Sequence, residues 1–563
     1  MKWSTSFSTV RRVSIAIAAG MALADASIVT LGLPSILIEL KATVVGVALV
    51  LGVYTAVLAL SLLPASLLAG RFGDAQVAST GLALFFAASL GCGASDSLAL
   101  LLVLRGLQAL GAAGGLVGGF ELLDGGRPGP GRRLWVAASV FGIAIGPALG
   151  GALTQLFSWR AIFLAQAPIV LPGLLVCRQV ARAERAAAAE RPRSPASPLP
   201  LRPALALALL SASLTAVVFL VVLLLVSGWS IEPLAAALAV SVLPVAAVVS
   251  SRWRAAAITR AVAGCLLVSG GVGCLALLPA ASAWWTVVPQ VLAGAGMGMA
   301  LPALSGELIS ERTREDAARL LTIRHAGIAI ALAALAPLIS SNLTSTIDSA
   351  REQGTAAVLD ARLPPQNKIQ LAPDLFGGLN TDDPRGQLQA SISDARSGLN
   401  SDQAGELDRL GERLDGVVTG AVRRAFRPTF IVTSALALVA ALALLSGALA
   451  RAGTLARPAV GAAAIAALGA AAGYGVAFAA SAETTIPIRD PCRERQLPET
   501  GGVTGQLQDI SLTALDRAAC NLGVGREELL LAIVDDRLRR KFEQEHGVDP
   551  RSPLVLGGAL LGL

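Results

Sequence analysis

Apolar runs of about 20 residues return from one end of this chain to the other, each long enough to carry an α-helix across about 30 Å of hydrocarbon. Thirteen can be drawn, over residues 13–38, 44–69, 76–95, 98–119, 134–157, 161–180, 203–227, 232–251, 257–279, 284–305, 322–345, 428–450 and 459–480. The runs are continuous rather than alternating, which argues against a membrane β-barrel. With 54% hydrophobic and 15% charged residues, the chain lacks the polar surface that a soluble protein of this length needs. It reads as an all-α polytopic membrane protein. Lys2, Arg11 and Arg12 precede the first run, and ALA at 22–24 has the look of a leader-peptidase site. The apolar character continues to Ile38, roughly 26 residues in all, so an uncleaved first span is expected.

Arginine placement orients the spans. With the N-terminus cytoplasmic, the inner segments hold 22 Lys and Arg, whereas the short outer loops hold only Lys41 and Arg160. The positive-inside rule then assigns the topology. The net charge of +7 comes from the same bias: the membrane part carries 25 basic and 13 acidic residues, and the polar stretches 346–427 and 481–563 together carry 20 basic and 25 acidic. No basic patch with interleaved aromatics points to nucleic acid.

The expected organisation is a six-helix bundle over 1–180, a basic and Pro/Ser-rich cytoplasmic linker over 181–202, spans 7–11 over 203–345, an extracytoplasmic helical insertion over 346–427, span 12 over 428–450, span 13 over 459–480, and an extracytoplasmic helical tail over 481–563. In the insertion, Leu407, Leu410, Leu414, Val417 and Val418 recur at helical spacing and predict a helix running into span 12. In the tail, Gly523 and Gly547 are expected helix stops. Span 13 is rich in Ala and Gly, and the position of the tail depends on its crossing. Cys92, Cys177, Cys265 and Cys274 lie in apolar runs and read as small hydrophobes. Cys492 and Cys520 are the one pair in polar sequence. Outside the membrane they are disulfide candidates; in a cytoplasmic tail they would be two free thiols.

Residues 142–151, GIAIGPALGG, put helix-weakening residues inside an apolar run. In lipid, helices associate through close van der Waals contact, which small residues permit. Gly142, Gly146 and Gly150 share one helix face and form a groove for another backbone, and Pro147 removes one donor and is expected to bend the helix. A general small-residue packing face would need no more than this.

The stretch GIAIGPALGGALTQLFSWRAIF is also similar to the fifth-helix signature of the drug:proton antiporters of the major facilitator superfamily. Gly142, Gly146, Pro147, Gly150 and Gly151 match its glycine–proline core, and Trp159, Arg160 and Phe163 match the residues after that core. In span 1, DASIVTLGLPSI resembles the family pattern at Asp25, Ile28, Val29, Leu33 and Pro34, with Ser27 and Thr30 departing from it. In span 4, RGLQALGAA matches at Arg105, Gln108, Gly111, Ala112 and Ala113. Between spans 2 and 3, GRFGDAQVAST matches at Gly70 and Asp74, but Ala75, Ala78 and Ser79 stand where the family has basic residues. The resemblance implies that this loop latches two bundles together on the cytoplasmic side, and the missing basic residues imply a weaker latch. It covers roughly 10–345 and 428–450 and implies two six-helix bundles, here with one extra C-terminal helix and two small extracytoplasmic helical segments.

Ionisable groups within hydrocarbon are costly and usually functional. Asp25 and Arg105 alone lie deep within a run, while Glu39, Glu232 and Glu307 lie near ends. Asp25 and Arg105 are at similar depth and are expected to face one aqueous cavity, with Asp25 carrying a coupling proton tuned by Arg105; a fixed structural ion pair is the alternative. His325, at the start of span 11, reads as interfacial. The two histidines and scattered cysteines give no metal site, and no phosphate-binding loop or nucleophile–base set is readable, so no cofactor and no enzyme activity are expected. The reading is a multi-pass transporter of the plasma (inner) membrane that exports small amphipathic or hydrophobic compounds in exchange for protons. Its partners are the lipid bilayer, a small-molecule substrate and protons, and the two external segments leave room for an extracytoplasmic protein partner. The alternatives are an exporter of an endogenous lipid or metabolite, and a transport-deficient receptor or assembly scaffold on a transporter fold.

Overall fold

The computed structural model describes residues 2–124, 127, 129–187, 198–305, 307–309, 313–363, 368, 371, 384–396, 399, 401–449, 457–481, 485–493, 503–552 and 555. Apart from an isolated bridge between Ser305 and Ile309, the described residues form helices and turns. Numbered along the chain, the membrane helices are α1 Lys2–Thr30, α2 Val44–Phe72, α3 Asp74–Gly93, α4 Leu98–Leu122, α5 Pro130–Leu156 and α6 Trp159–Ala187 in the first half. In the second half they are α7 Leu201–Gly228, α8 Pro233–Ser250, α9 Ala257–Leu275 and α10 Ala283–Leu304, then α11 Arg314–Asp360, α12 Ser401–Leu449 and α13 Arg457–Ala480. Twelve helices among the described residues are long and apolar enough to cross a membrane, and α5, 27 residues long, takes the place of the remaining expected span.

Three departures from the apolar runs have physical causes. The first run is split: α1 ends at Thr30, and a short helix Leu33–Glu39 restarts with Pro34 in its first turn, where a missing N–H costs nothing. The last turn of α7, Leu224–Gly228, widens to a π-helix. Helices α11 and α12, at 47 and 49 residues, run well past the apolar stretches that mark them, because a helix ends where its hydrogen-bond ladder is broken and not where its hydropathy falls.

The chain forms two compact units. The first comprises Met1–Val226, Ile231–Ser340 and Phe426–Ala480. Its helices pack through small residues. Gly81 on α3 lies against the backbone of Gly111, Gly114 and Gly115 on α4, Gly264 on α9 against Gly296 and Ala300 on α10, and Gly270 on α9 against Ala467 on α13. Such close approach is what drives helix association in lipid. Tyr474 of α13 also donates to the Trp285 carbonyl at 2.7 Å.

The second unit comprises Ser227–Ser230, Ser341–Ala425 and Ser481–Leu563. The insertion and the tail thus share one core rather than forming two separate segments. Arg526, fully buried, reaches Asp360 at 2.8 Å and Glu527 at 2.8 Å; Arg537 reaches Asp348 at 2.6 Å; and the Ile486 N–H donates to Gln353. Arg385 forks onto Asp415 at 2.6 and 3.0 Å and donates to the Trp229 carbonyl. Phe542, Leu529, Ala519 and Val555 close an apolar core in the tail. Gly523 and Gly547 take φ of 69° and 71° after Val503–Leu522 and Asp536–His546, the left-handed conformation that ends a helix without a Cβ clash. Cys492 and Cys520 are joined by a disulfide.

Candidate functional site

Asp25 on α1 and Arg105 on α4 meet in the interior of the first half, and neither side chain exposes any surface. Arg105 Nη1 donates to Asp25 Oδ1 at 2.9 Å, and Nη2 stands 2.7 Å from Oδ2. The second contact is an ion pair out of line for a hydrogen bond, so Asp25 Oδ2 carries none. Two glutamines close a ring around the pair. Arg105 Nη1 also donates to Gln108 Oε1 at 2.6 Å, Gln108 Nε2 to Gln166 Oε1 at 2.7 Å, and Gln166 Nε2 back to Asp25 Oδ1 at 2.9 Å. Gln108 Nε2 reaches Ser89 of α3 as well, and Arg105 Nε donates to the Val50 carbonyl of α2 at 3.0 Å.

The walls are aromatic. The Tyr54 ring lies 4.2 Å from the Arg105 guanidinium carbon and the Phe163 ring 5.6 Å from it, a cation–π arrangement that offsets part of the lost hydration. Tyr54 is itself fixed by donating to the Ala22 carbonyl at 2.8 Å. The sequence points to Asp25, Arg105 and Gln108; Gln166 and Tyr54 escape it. The available signals are the lone amide in the apolar run FLAQAPIV and the rarity of tyrosine, two in the chain. Neither Asp25 nor Arg105 exposes any surface in the conformation described. Asp25 and Arg105 face each other inside one half, where partners on α1, α2, α4 and α6 satisfy most of their polar atoms.

The glycine face of α5 divides its work. Side-chain placement at Gly142 lies outside the described residues. A Cβ on Gly146 would collide with Ser27, and one on Gly150 with the Ile28 carbonyl, so these two admit the backbone of α1 just beyond Asp25. Gly151, turned about 100° further, lies against Ala237 and the Pro233 carbonyl of α8, in the other half. Pro147 is buried within the uninterrupted helix α5.

The two halves touch at both ends. Near Gly151, Gln155 donates to Glu232 at 3.2 Å and accepts from the Leu234 N–H at 2.7 Å. At the arginine-rich end, Asp74 opens α3 and accepts from Arg314 Nη1 at 2.6 Å, while the Arg314 N–H donates to Glu121 at 3.0 Å. Gly70 makes room for the same guanidinium, 3.0 Å from where a Cβ would stand. The contact joins the two halves with Arg314 of the second half as the cation, although the loop itself lacks basic residues after Asp74. Thr313 and Asp316 cap α11 reciprocally beside it. Trp159 and Arg160 serve the other end, both bonding Glu39, Trp159 Nε1 at 2.6 Å, and Arg160 also reaching the Ser95 carbonyl. His325 is buried, with Nδ1 2.8 Å from the Leu321 carbonyl. A trio of Glu528, Glu545 and His546 side chains sits together at the tail surface.

Among relatives, the tetracenomycin C resistance and export protein of Streptomyces glaucescens is 34% identical over 182 residues, 31% of this chain and 34% of the relative. The multidrug resistance protein Stp of Mycobacterium tuberculosis is 32% identical over 150 residues, 26% of this chain and 28% of the relative. The matched stretches therefore span about a third of those relatives. A solved structure of a bacterial homolog to the human lysosomal transporter Spinster, inward-facing and occupied, has a TM-score of 0.53 at 17% identity and covers 78% of this chain and 96% of that one, a likeness of fold. The family model of the Major Facilitator Superfamily matches residues 15–336, more than half of a chain that is helical, polytopic and built in two contacting halves, and the chain belongs to that superfamily.

Proposed function

We propose that this chain is a proton-coupled secondary transporter that exports small amphipathic or hydrophobic compounds, with Asp25 as the proton-carrying group and Arg105 as its tuning partner. The observation that carries the reading is the Asp25–Arg105 pair itself, a carboxylate held inside a membrane span with one oxygen, Oδ2, that has no hydrogen bond. A group of this kind is expensive in hydrocarbon and is by default a functional-site candidate. Two further features support it. The halves meet through few polar contacts at each end, Asp74–Arg314 and Gln155–Glu232, which can break in turn as two bundles rock about a midplane site. The relatives include proteins named for drug resistance and export. On this reading the conformation described is closed at both ends, and the proton exchanges in another, where α1 and α5 part and water reaches Oδ2.

The N-terminus is cytoplasmic and the second unit extracytoplasmic. The arginine bias of the loops supports this, and so does a disulfide in the tail, which an oxidising compartment maintains.

One observation favours a second reading. The complete burial of Asp25 and Arg105 suits a fixed structural pair in a transport-deficient scaffold, with the second unit as the working part. Flux in proteoliposomes separates the two. A panel of lipophilic cations and lipids is assayed with and without a proton gradient, for the native chain and Asp25→Asn. The transporter reading expects gradient-dependent flux that Asp25→Asn abolishes; flux unchanged by the substitution removes Asp25 from the mechanism, and no flux of any compound leaves the scaffold.

A further inference from the structure

The loop between α8 and α9 gathers arginines in a way that topology alone does not require. Ser251, Arg252, Trp253, Arg254, Ala255 and Arg260 line a cavity of about 540 Å³. Arg252, Trp253 and Arg254 are exposed, and among the described residues neither Arg252 nor Arg254 has a carboxylate partner; Arg252 Nη1 reaches only the Val248 carbonyl, at 3.2 Å. Arg260 is different. Its side chain is 10% exposed and ion-paired with Glu307, and its Nε is buried with no hydrogen-bond partner. Among the described residues, three guanidinium groups against one carboxylate give the cavity an excess of about two positive charges, with a buried donor unused.

We infer that this cavity binds the phosphate of an anionic lipid headgroup. Guanidinium groups present forked donors that match phosphate oxygens. The loop joins the ends of two membrane helices, the level at which headgroups lie and at which tryptophan is enriched. Trp253, 38% exposed, offers its ring to the interfacial region while Arg252 and Arg254 flank it in sequence. A solvated arginine that served topology alone would need neither a cavity nor the buried Arg260 in its lining. The inference is independent of proton coupling and holds equally for a transporter or a scaffold.

The test uses the full chain in mild detergent, offered equal phosphatidylglycerol and phosphatidylcholine, with retained lipid counted by native mass spectrometry. Each basic group near an anionic surface contributes about 1 kcal/mol, so R252Q/R254Q should lower the phosphatidylglycerol-to-phosphatidylcholine ratio by about thirtyfold. Arg132→Gln with Arg133→Gln, in the first turn of α5 and outside the cavity, should leave the ratio unchanged. If the double variant fails to fold, the single variants R252Q and R254Q should each lower the ratio by a smaller step. An unchanged ratio on loss of the cavity arginines, or an equal loss in the α5 pair, overturns the proposal. Displacement of phosphatidylglycerol by inorganic phosphate at equal concentration would reassign the cavity to a soluble phosphate and overturn the lipid assignment.

Discussion

Asp25 and Arg105 neutralise each other where no surface of either is exposed, and this sets what substitution there does. Removing one member of a buried pair strands the other, at a cost of about 3–5 kcal/mol, whereas replacing both leaves no unpaired charge. Asp25→Leu should therefore lower the melting temperature of the purified protein sharply, and Asp25→Leu with Arg105→Met should recover part of the loss. A double variant less stable than either single would sink this account of the pair. Gln166→Leu removes one of two partners from each of Gln108 Nε2 and Asp25 Oδ1 and should cost about 0.5–1.5 kcal/mol per lost bond, read from the same melts; an unchanged melt would mean that the ring bears no weight. The two charges were legible in the sequence because charge is rare in apolar runs. Gln166 was not, because a neutral amide is cheap enough to pass as a tolerated polar residue. The burial of the pair was illegible for a deeper reason: it depends on which helices converge, and Val50 and Tyr54 come from an element whose sequence gives no sign of facing Arg105.

At the scale of helices, glycine carries the packing, and its neighbours decide its weight. Gly150 lies against the Ile28 backbone, which cannot yield, whereas Gly469 on α13 has nothing within 4 Å of a Cβ. Gly150→Val should separate α1 from α5 and abolish folded yield or flux, while Gly469→Val should be close to silent in yield and melting temperature. Equal effects would show that small size on these helices serves something other than contact. The glycine groove of α5 could be read from spacing, but its division between α1 and α8 could not, because both faces are equally small. The lengths of α11 and α12 were hidden in a similar way. Residues 346–360 contain no proline, so nothing stops the ladder where the apolar run ends, and a hydropathy boundary marks the span rather than the helix.

The second unit assembles from pieces far apart in the chain, and long-range pairs such as Asp360 with Arg526 and Asp348 with Arg537 leave no trace in local pattern. It contains its own pH sensitivity. Burial pushes the Lys368 ammonium down to about 8 against the pull of Asp360, and Nζ donates to the Leu359 carbonyl at 2.9 Å. The unfolded chain keeps that proton up to the ordinary lysine range of about 10.4. Between these values the unfolded state binds more protons, so stability should rise with pH from about 8 upward and flatten above the unfolded value. Lys368→Met should flatten that rise in melts recorded across the window, and a slope that survives the substitution would assign it to another group.

The unit also reports which side of the membrane it occupies. Its disulfide closes an interval of 28 residues, a constraint of about 3 kcal/mol on the unfolded chain in the entropy model. The four remaining cysteines are buried in membrane helices, and burial holds Sγ away from reagents that cannot enter lipid. A membrane-impermeant reductant and then an impermeant maleimide, applied to intact cells, should therefore add two labels per chain when the unit is extracytoplasmic, and none in Cys492→Ser/Cys520→Ser. Labelling that appears only after the membrane is permeabilised would put the unit in the cytoplasm. Helix α13, Arg457–Ala480, precedes the tail, so that result would contradict the topology proposed from the loop arginines, with a cytoplasmic N-terminus and thirteen crossings.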